Sequence, residues 1–508
     1  MTRFSFDLLE QPWIPVLHPD GVTAETLGLR ALFHRAHELR AVFGESPLVT
    51  AALYRLLLAL TFAIHGEPQG TRQWAHLWRL RRFDPAAVDA YFERWRERFD
   101  LFHPERPFFQ WPEKASREKQ AIDLFPDFAS GGNATLFDHH HTTDQTAFLP
   151  DQAARALLLV MAFSVSGGNG MAPRESSDAP WARGAVFLAE GDTVFETLML
   201  NYLPTGISHG AEDRPFWEAE APFAPQRETP LGMCDYLTWP IRAIHLLPEQ
   251  RDGQTVVQKV CMGTGLKLAE ITHPVYAYSQ QASDGKMLFQ RFHENRALWR
   301  DSTTFLQLKS DKIRPPAVLH WLAELIEDEL LPRHQRFRLM ALGMSNNQAK
   351  VDFYREEHFP LPGEYLEQPG LVETLGQALE KAEAARSALG RSLSRMAALL
   401  LSPTADDKNG RKPDPKDVNN LLGHWAADRL YWAALEPAFF TLLLDLPADP
   451  SAAHAAWDEA LRTAARQTFE RTARMAGEST RALRAVARAE NQLYGSLKKV
   501  FEPTMQKE

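Results

Sequence analysis

The feature that most constrains the fold is a change of sequence pattern near residue 371. Beyond it, apolar residues recur at helical spacing in four Ala- and Leu-rich stretches, at about 371–401, 417–445, 450–476 and 479–501. Gly477 supplies a stop signal, and Asp449-Pro450 and Glu478-Ser479 supply start signals, so only short turns separate the last three stretches. The pattern predicts a C-terminal four-helix bundle over residues 371–508.

Two details of this bundle follow from its sequence. Residues 402–415 are rich in Pro, Asp and Lys, with one Gly, which is typical of a flexible linker between the first two helices. Pro437 lies inside the second stretch and is expected to kink that helix.

A stripe of arginines marks the last helix. Its members recur at three-, four- and seven-residue intervals, which places them near one face: Arg474, Arg481, Arg484 and Arg488. One interpretation is a solvated face with local glutamate partners. The other is a surface for nucleic-acid phosphates, which arginines contact without reading sequence.

Residues 1–370 mix strand and helix signals, so the predicted fold class is α+β, with a large mixed N-terminal domain before the bundle. Pro19-Asp20-Gly21 predicts a small hairpin near the N-terminus. Ser46-Pro47 opens a helix that ends at Gly66. Further helices are expected at about 84–98 and 151–165.

Residues 185–300 are typical of strands and loops. Asp252-Gly253 and Asp284-Gly285 are both hairpin turn signals. The second signal places Lys286 at a hairpin tip, free to reach outward, although a lone tip lysine is commonly just solvated. Two prolines followed by three aromatics at 103–111 indicate a packed loop.

Composition excludes several classes of protein. The 508 residues are 44% hydrophobic and 24% charged, which is typical of a globular, soluble chain. The formal net charge of -9 means that any nucleic-acid contact must come from local patches or from a partner that carries the charge. Cys234 and Cys261 form no disulfide framework or zinc-ligand spacing, which favours a reducing cytoplasm.

Neither a signal peptide nor a membrane span is expected. Acidic residues occupy the N-terminal region where a signal peptide needs an apolar run. The most apolar window, from Leu48 to Ile64, contains Arg55 and is short for a span. We therefore predict a buried helix there.

Two polar or glycine-rich stretches are candidate ligand loops. Met344 to Lys350 contains consecutive amides, whose side chains compete with the backbone for hydrogen bonds and favour a tight loop. Asn347 and Gln348, followed by Ala349, carry donors and acceptors as base edges do, but a plain polar turn remains the alternative. The second stretch is Gly167, Gly168, Asn169 and Gly170.

The glycine stretch does not resemble a phosphate-binding loop. It follows the C-terminal end of a predicted helix, where the partial charge is negative, and it lacks the Lys-Ser/Thr of a P-loop. Its glycines could let the backbone approach a ligand closely. A helix cap followed by a turn is the alternative.

A third stretch, from Ser130 to His141, begins with two glycines and ends with three histidines. Neighbouring residues on a strand point to opposite faces, so only His139 and His141 could share an ion. No carboxylate or cysteine cluster completes a metal site. A metal-dependent nuclease or hydrolase using His139–His141 is the alternative function, with Asp138 and Asp144 nearby.

No enzyme signature is present elsewhere. The chain has no Walker lysine, no GxSxG, no HExxH and no defensible pair of catalytic carboxylates. The sequence therefore predicts a protein that is not an enzyme and that needs no cofactor or metal.

The chain resembles, nearly end to end, the large-subunit family of type I-E CRISPR surveillance complexes, called CasA in Cascade. The resemblance rests on these phrases: Phe6-Asp7-Leu8-Leu9, Pro12-Trp13-Ile14-Pro15-Val16, His103-Pro104-Glu105-Arg106-Pro107-Phe108, Gly132-Asn133-Ala134-Thr135-Leu136-Phe137-Asp138, the glycine stretch, Asn347-Gln348-Ala349 and the C-terminal helices. It implies a subunit that recognises the protospacer-adjacent motif (PAM) of double-stranded DNA through the minor groove. It also implies antiviral defence, R-loop formation and recruitment of a helicase-nuclease.

The resemblance also implies roles for particular residues. Asn347-Gln348-Ala349 is similar to the family's glutamine wedge, 167–170 to its glycine loop, and Lys286 to its minor-groove lysine. The loop that contacts the motif or the crRNA end resembles a run of seven residues: Gly131, Gly132, Asn133, Ala134, Thr135, Leu136 and Phe137. The bundle would help hold the DNA, and Arg481, Arg484 and Arg488 are our candidates for its backbone contacts. The expected partners are the other Cascade subunits, crRNA, target DNA and the helicase-nuclease, with no membrane.

Overall fold

The computed structural model describes residues 4–125, 146–166, 177–204, 212–224, 226–347 and 350–502. The chain divides into two compact units. The N-terminal unit comprises Met1–Leu298 and Gln307–Phe359, and the C-terminal unit comprises Trp299–Leu306 and Pro360–Glu508. Strands and helices mix in the first unit and helices dominate the second, which confirms the predicted α+β class.

The strands are β1 (Ile14–Leu17), β2 (Ala24–Leu27), β3 (Ala41–Val42), β4 (Arg117–Gln120), β5 (Val186–Glu190), β6 (Arg242–Arg251), β7 (Gln254–Thr264), β8 (Tyr278–Gln280), β9 (Met287–Phe289), β10 (Ile313–Arg314), β11 (Arg336–Asn347) and β12 (Lys350–Pro362). Among the described residues they form four antiparallel sheets of three strands, ordered β2-β1-β3, β4-β7-β6, β10-β8-β9 and β12-β11-β5.

The helices are α1 (Leu29–Arg35), α2 (Pro47–His65), α3 (Thr71–Arg79), α4 (Pro85–Arg94), α5 (Pro150–Phe163), α6 (Val194–Leu200), α7 (Met233–Leu237), α8 (Ser302–Leu306), α9 (Ala317–Glu327), α10 (Glu364–Glu367), α11 (Pro369–Leu401), α12 (Pro415–Trp425), α13 (Ala427–Asp445), α14 (Pro450–Met475) and α15 (Thr480–Phe501).

Helix α2 is the core of the N-terminal unit. The Ser46 side chain accepts a hydrogen bond from the Val49 amide at its start, and Gly66 ends it with a φ of 76°. The helix packs against α5, α7 and β11. It is long and apolar enough to cross a membrane, but 83% of its apolar window is buried inside the protein, which confirms the predicted buried helix.

The one charge in the middle of α2 is held inside the core. Arg55 is 2% exposed; its Nη2 donates to the Tyr236 carbonyl at 3.1 Å, and its guanidinium lies 5.7 Å from the Trp181 ring centroid. Burial lowers the pKa of Arg55 to about 10. The aromatic ring and the carbonyl replace part of the solvation that the guanidinium has lost.

The predicted hairpins are present. β1 pairs with β2 across the Pro19–Gly21 turn, β6 pairs with β7, and β8 pairs with β9. Asp252 and Gly253 have φ values of 52° and 80°, and Gly285 has a φ of 71°. Asp-Gly suits such turns because these two residues adopt positive φ more readily than most.

Several predicted bounds were wrong. The helix expected over 84–98 ends at Arg94 and continues as a 3₁₀ turn, Arg96–Phe99. Two short helices, α6 and α7, interrupt the region expected to hold only strands and loops. At α6, the Thr193 side chain accepts from the Glu196 amide, a local cap that starts a helix in an apolar stretch.

In the C-terminal unit, α11 packs against α12, α13, α14 and α15. Two of its carbonyls accept buried bonds, Ala378 from Trp457 Nε1 at 2.9 Å and Ala382 from the Tyr431 hydroxyl at 3.0 Å. The stretch expected to be one helix over 417–445 is two helices, because Ala426 has a left-handed φ of 48° between α12 and α13. Pro437 lies within α13.

A charged cluster lies at one end of the sheet β12-β11-β5. His358 Nδ1 lies 3.0 Å from Glu190 Oε2, and its Nε2 lies 2.9 Å from Glu356 Oε1. Arg40 and Arg338 also pair with Glu190. Hydrogen bonds to Glu190 and then Glu356 raise the pKa of His358 to about 9.

We expect this cluster to make stability depend on pH at alkaline values. Because folding raises the pKa of His358 from 6.5 to about 9, its stabilisation is complete below the unfolded value and is lost as pH rises through 9. His358→Gln should therefore be less stable than the parent at pH 6, by about 1 kcal/mol after allowing for solvent screening, and nearly equal at pH 10. Denaturant unfolding of both proteins measures this. A stability difference that does not change with pH would contradict it.

Candidate functional site

The hairpin β11–β12 carries the polar stretch singled out in the sequence. β11 pairs with β5 through residues 338–342, and Met344 is buried at 1% exposure. The strand continues through Ser345 and Asn346 to Asn347. The prediction of a loop over this stretch was therefore wrong for 344–347, because pairing within a long hairpin overrides a local preference for turns. Gln348 and Ala349, which follow β11 and precede β12, lie outside the described residues.

The stem of this hairpin is fixed by an arginine on β12. Arg355 Nη1 donates to the carbonyls of His293 and Arg296 at 3.3 and 3.2 Å, and its Nη2 donates to the Glu294 carbonyl at 3.1 Å. Glu357, two residues on, accepts from the Leu298 amide at 2.9 Å. The connection at 293–298 is thus hydrogen-bonded to β12, which orders the stem independently of any ligand.

Lys286 lies where the sequence predicted, at the start of β9 on the β8–β9 hairpin. Its amide donates to Asp284 Oδ1 at 3.0 Å, and the Gly285 carbonyl accepts from Gln280 Nε2 at the same distance. Its ammonium lies 3.8 Å from Glu270, and both side chains are mostly exposed. Such a pair contributes little energy, so the lysine can leave it for a stronger anion.

The predicted glycine loop, Gly167 to Gly170, lies outside the described residues, but both of its flanks are described. Arg242 is fully buried, and its Nη2 donates to the Val165 carbonyl at 3.1 Å. Its Nη1 donates to the carbonyls of Ser177 and Ile241 at 3.3 and 2.8 Å. One guanidinium therefore binds the backbone before and after residues 167–176.

A second contact joins the same two flanks. Asp178 Oδ1 accepts from the Ser166 amide at 2.7 Å, and the Asp178 carboxylate also pairs with Arg183. Ala179 N donates to the Ser164 carbonyl at 2.8 Å. Burial lowers the pKa of Arg242 to about 10, and the negative charge of Asp178 counteracts part of that effect. The flanks are held together by buried charge as well as by backbone bonds.

Arg242 and Asp178 were not among the residues singled out in the sequence. An arginine inside the apolar run Ile241-Arg242-Ala243-Ile244 was the available signal, since a buried arginine needs several acceptors. Which carbonyls it would reach depends on the fold, so that signal alone could not have identified its partners.

The crRNA-end loop predicted at Gly131–Phe137 and the histidines His139–His141 lie outside the described residues. Within the ranges that the structure does describe, no group of three His, Cys, Asp or Glu side chains could hold a metal ion.

The arginine stripe is exposed on α15. Arg481, Arg484 and Arg488 alternate with the buried Ala482, Ala485 and Ala489. Arg488 lies 3.9 Å from Asp406, and Arg481 Nε makes a long 3.5 Å contact to the Leu399 carbonyl. The local partner is thus an aspartate rather than the expected glutamates. Arg474 lies in the last turn of α14, not on the last helix as predicted.

The candidate residues therefore fall into two groups. The N-terminal unit carries the β11–β12 hairpin, Lys286 and the flanks of the glycine stretch, and the C-terminal unit carries the arginine stripe. The groups differ in chemistry: amides and one lysine in the first, exposed guanidinium groups in the second. The first suits short-range reading of a polar surface, and the second suits contact with phosphates.

Comparison with known proteins gives one consistent result. A sequence model of the family described as "CRISPR-associated protein Cse1" matches residues 7–468. The CRISPR-associated protein CasA/Cse1 of Thermus thermophilus is 35% identical to this chain, and the match covers 96% of each protein.

Solved structures agree with the sequence comparison. The Cse1 structure from Acidimicrobium ferrooxidans superposes with a TM-score of 0.81 at 25% identity, covering 98% of this chain and 99% of that one. A chain of a CRISPR RNA-guided surveillance complex superposes with a TM-score of 0.75 at 26% identity, covering 96% and 99%.

We expect Arg242→Met to loosen the flanks of residues 167–176. The substitution leaves buried carbonyls without donors and should destabilise the protein by about 2 kcal/mol. Amide hydrogen exchange should accelerate at Ser166 and Ala179 more than in α9. Arg155→Met is the matched control, because Arg155 is also buried but bonds Trp13, Glu45 and Asp151 instead. Equal acceleration at Ser166 in both variants would contradict the assigned contact.

Proposed function

This chain belongs to the CRISPR-associated Cse1 family, and from that membership we propose that it is the large, non-catalytic subunit of a type I-E CRISPR surveillance complex. It recognises the protospacer-adjacent motif in double-stranded DNA, promotes duplex opening and R-loop formation, and helps recruit the helicase-nuclease. Its partners are the other Cascade subunits, crRNA and target DNA. The observation that carries the proposal is the family match across residues 7–468, which includes the β11–β12 hairpin.

In this proposal residues 1–370 form the reading domain. Asn347, Gln348 and Ala349 act as a wedge beside the motif, where unstacking one base step costs a few kcal/mol. A wedge is effective only on a rigid support, and the bonds from Arg355 to the 293–298 connection support the stem of this hairpin. The amides of the wedge can meet base edges without the large desolvation cost of a charge.

Lys286 and the glycine stretch read the minor groove. That groove presents a degenerate pattern of donors and acceptors, so one lysine and close backbone approach at Gly167, Gly168, Asn169 and Gly170 suit loose reading of a short motif. The loose pair between Lys286 and Glu270 leaves the ammonium available to acceptors in the groove. Gly131 to Phe137 would contact the motif or the crRNA end.

Residues 371–508 form the bundle that helps hold the DNA. Arg481, Arg484 and Arg488 contact phosphates and so contribute affinity without sequence preference. A net charge of -9 is compatible with this role, because the guide-loaded partners would supply most of the basic surface. Base pairing with the guide then supplies most of the sequence specificity.

The subunit is non-catalytic in this proposal. A hydrolase based on His139–His141 would need a completed ligand set, and no observation on the described residues favours one. The reaction that degrades the DNA would belong to the recruited helicase-nuclease.

The wedge predicts a defect confined to closed duplexes. Asn347→Ala combined with Gln348→Ala should leave assembly intact, since a wedge must face the duplex and surface substitutions usually alter stability by less than about 0.5 kcal/mol. R-loop formation on a closed target should slow by at least about tenfold, because the cost of unstacking remains while the wedge is lost. A target with a mismatched bubble beside the motif should be bound nearly as well as by the parent.

Rates of R-loop formation on closed and bubbled targets, measured in the assembled complex, decide between these outcomes. Equal rates for mutant and parent on the closed duplex would remove the wedge role. Equal losses on both targets would instead mean that these residues supply general affinity or stability.

The arginine stripe predicts a loss of affinity that is independent of sequence. We expect target binding by the complex to weaken equally for all flanking sequences when three residues are changed together to Glu: Arg481, Arg484 and Arg488. The matched control changes Lys408, Lys412 and Lys416 to Glu, which alters the charge of the same unit equally at exposed positions outside α15. Filter binding across a library of flanking sequences measures both. Equal losses in the two variants, or a loss for only one motif, would count against the stripe.

A further inference from the structure

A cleft of about 320 Å³ lies beside the β8–β9 hairpin in the N-terminal unit. Its charged lining residues are Asp178, Arg183, Glu270 and Arg291, and its aromatic wall includes His273, Tyr276 and Phe289. Asp178 follows the glycine stretch by a few residues in the sequence. Phe289 lies on β9, which begins directly after Lys286. The cleft therefore adjoins the hairpin that carries Lys286 and the described segment that follows the glycine stretch in sequence.

One wall of the cleft is aromatic and rigid. The ring centroids of Tyr276 and Phe289 are 5.5 Å apart, and those of His273 and Tyr276 are 4.9 Å apart. The Tyr276 hydroxyl donates to the Pro180 carbonyl at 3.0 Å. A Cβ at position 184 would lie 2.8 Å from the Tyr276 ring, so only Gly184 allows this close packing.

Arg291 lines the cleft beside that wall. Its guanidinium carbon lies 4.7 Å from the Phe289 ring centroid. The backbone just before it is fixed on both sides, because Gln290 N donates to the Ala277 carbonyl at 2.8 Å and the Gln290 carbonyl accepts from Ala185 N at 2.9 Å. The guanidinium is thus largely preorganised before any ligand binds.

Arg291 combines an aromatic contact with the lack of a carboxylate partner among the described residues. Across the part of the chain that the structure describes, it forms no ion pair within 4 Å, although its side chain is exposed. Arg30, by contrast, pairs with Glu10, Asp89 and Glu93. An arginine that stacks on an aromatic ring but lacks an anion keeps its hydrogen-bonding fork for a ligand.

Among the described residues, Arg291 is the one charged group of the cleft lining without an opposite charge within 4 Å. Arg183 binds Asp178 through two bonds, Nε to Oδ2 at 2.7 Å and Nη2 to Oδ1 at 2.9 Å. Glu270, the other carboxylate of the lining, lies 3.8 Å from the Lys286 ammonium. Partial burial and, to a smaller extent, repulsion from Arg183 lower the pKa of Arg291. An added anion would supply the opposite charge that Arg291 lacks.

We propose that this cleft binds a backbone phosphate of the target DNA, with Arg291 donating to the phosphate oxygens. The inference rests on the proposed function, because Lys286 on the same hairpin would bring the duplex to the cleft. A phosphate suits the site better than a base, since a stacked guanidinium offers a planar, charged donor fork. Arg291 acts here as a positioning contact that sets how the hairpin meets the duplex.

Arg291→Gln in the assembled complex tests the proposal. Loss of one charged contact should weaken target binding about tenfold for all flanking sequences. The slope of log affinity against log salt concentration should become shallower by about 0.9, the value for one phosphate contact. A purely structural role of Arg291 would not change that slope.

Two further variants make the test specific. Arg251→Gln, an exposed arginine at the end of β6, removes the same charge from the same unit and should leave the slope unchanged. Arg291→Lys keeps the charge but not the planar fork, so it should restore the slope while recovering only part of the affinity. An unchanged slope in Arg291→Gln, or an equal change in Arg251→Gln, would overturn the proposal.

The same measurements distinguish the inference from the proposed function. If the parent complex does not bind target DNA, the proposed function fails and the inference fails with it. If the parent complex binds target DNA and Arg291→Gln binds it with the same affinity and salt dependence, the inference alone fails. A free anion is the other source of the same chemistry. Calorimetry with inorganic phosphate tests this source. If phosphate binding requires Arg291 while Arg291→Gln binds DNA as the parent does, the cleft is a site for free phosphate and the proposal for DNA is overturned.

Discussion

Burial of α2 is the interaction on which the N-terminal unit depends. The helix presents an almost wholly apolar surface, and each fully buried Leu or Phe contributes about 2 kcal/mol relative to exposure. Two elements that pack against α2 end next to candidate site residues in the sequence. Helix α5 ends just before the glycine stretch, and β11 ends at Asn347. One apolar core therefore fixes the starting points of two proposed reading elements whose sequences are themselves polar.

Local signals predicted the elements that local chemistry determines. Ser46 and Gly66 cap α2 as expected, and Asp252-Gly253 forms a tight turn because these residues tolerate positive φ. Features that no local sequence signal announces were not predictable. The strand at 344–347 exists because of pairing within its sheet, and the break at Ala426 has no glycine or proline to signal it. Gln348 and Ala349, which follow that strand, lie outside the described residues.

The candidate site shows the same limit more sharply. The sequence identified Lys286, whose position needs only a two-residue turn signal and the strands beside it. It did not identify Arg242 or Arg291, because the roles of these residues depend on their surroundings in the fold. Arg242 donates to three backbone carbonyls, whereas Arg291 stacks on an aromatic ring and has no carboxylate partner among the described residues. The same residue type acts as a structural brace or as a ligand contact according to which acceptors the fold places within reach.

Arginines that are buried or half-buried and arginines that are exposed have different electrostatic roles in this acidic chain. Arg242 and Arg355 donate to backbone carbonyls and hold the supports of the reading elements in place. If the subunit binds DNA as proposed, these supports are ordered beforehand, so binding need not supply the free energy to order them and more remains for unstacking the duplex. Arg291 and Arg484 have exposed side chains, and under the proposals each would add a phosphate contact whose affinity weakens as salt rises. Under the same proposals, the subunit would bind briefly to many duplexes and open one only where the wedge and the guide act together.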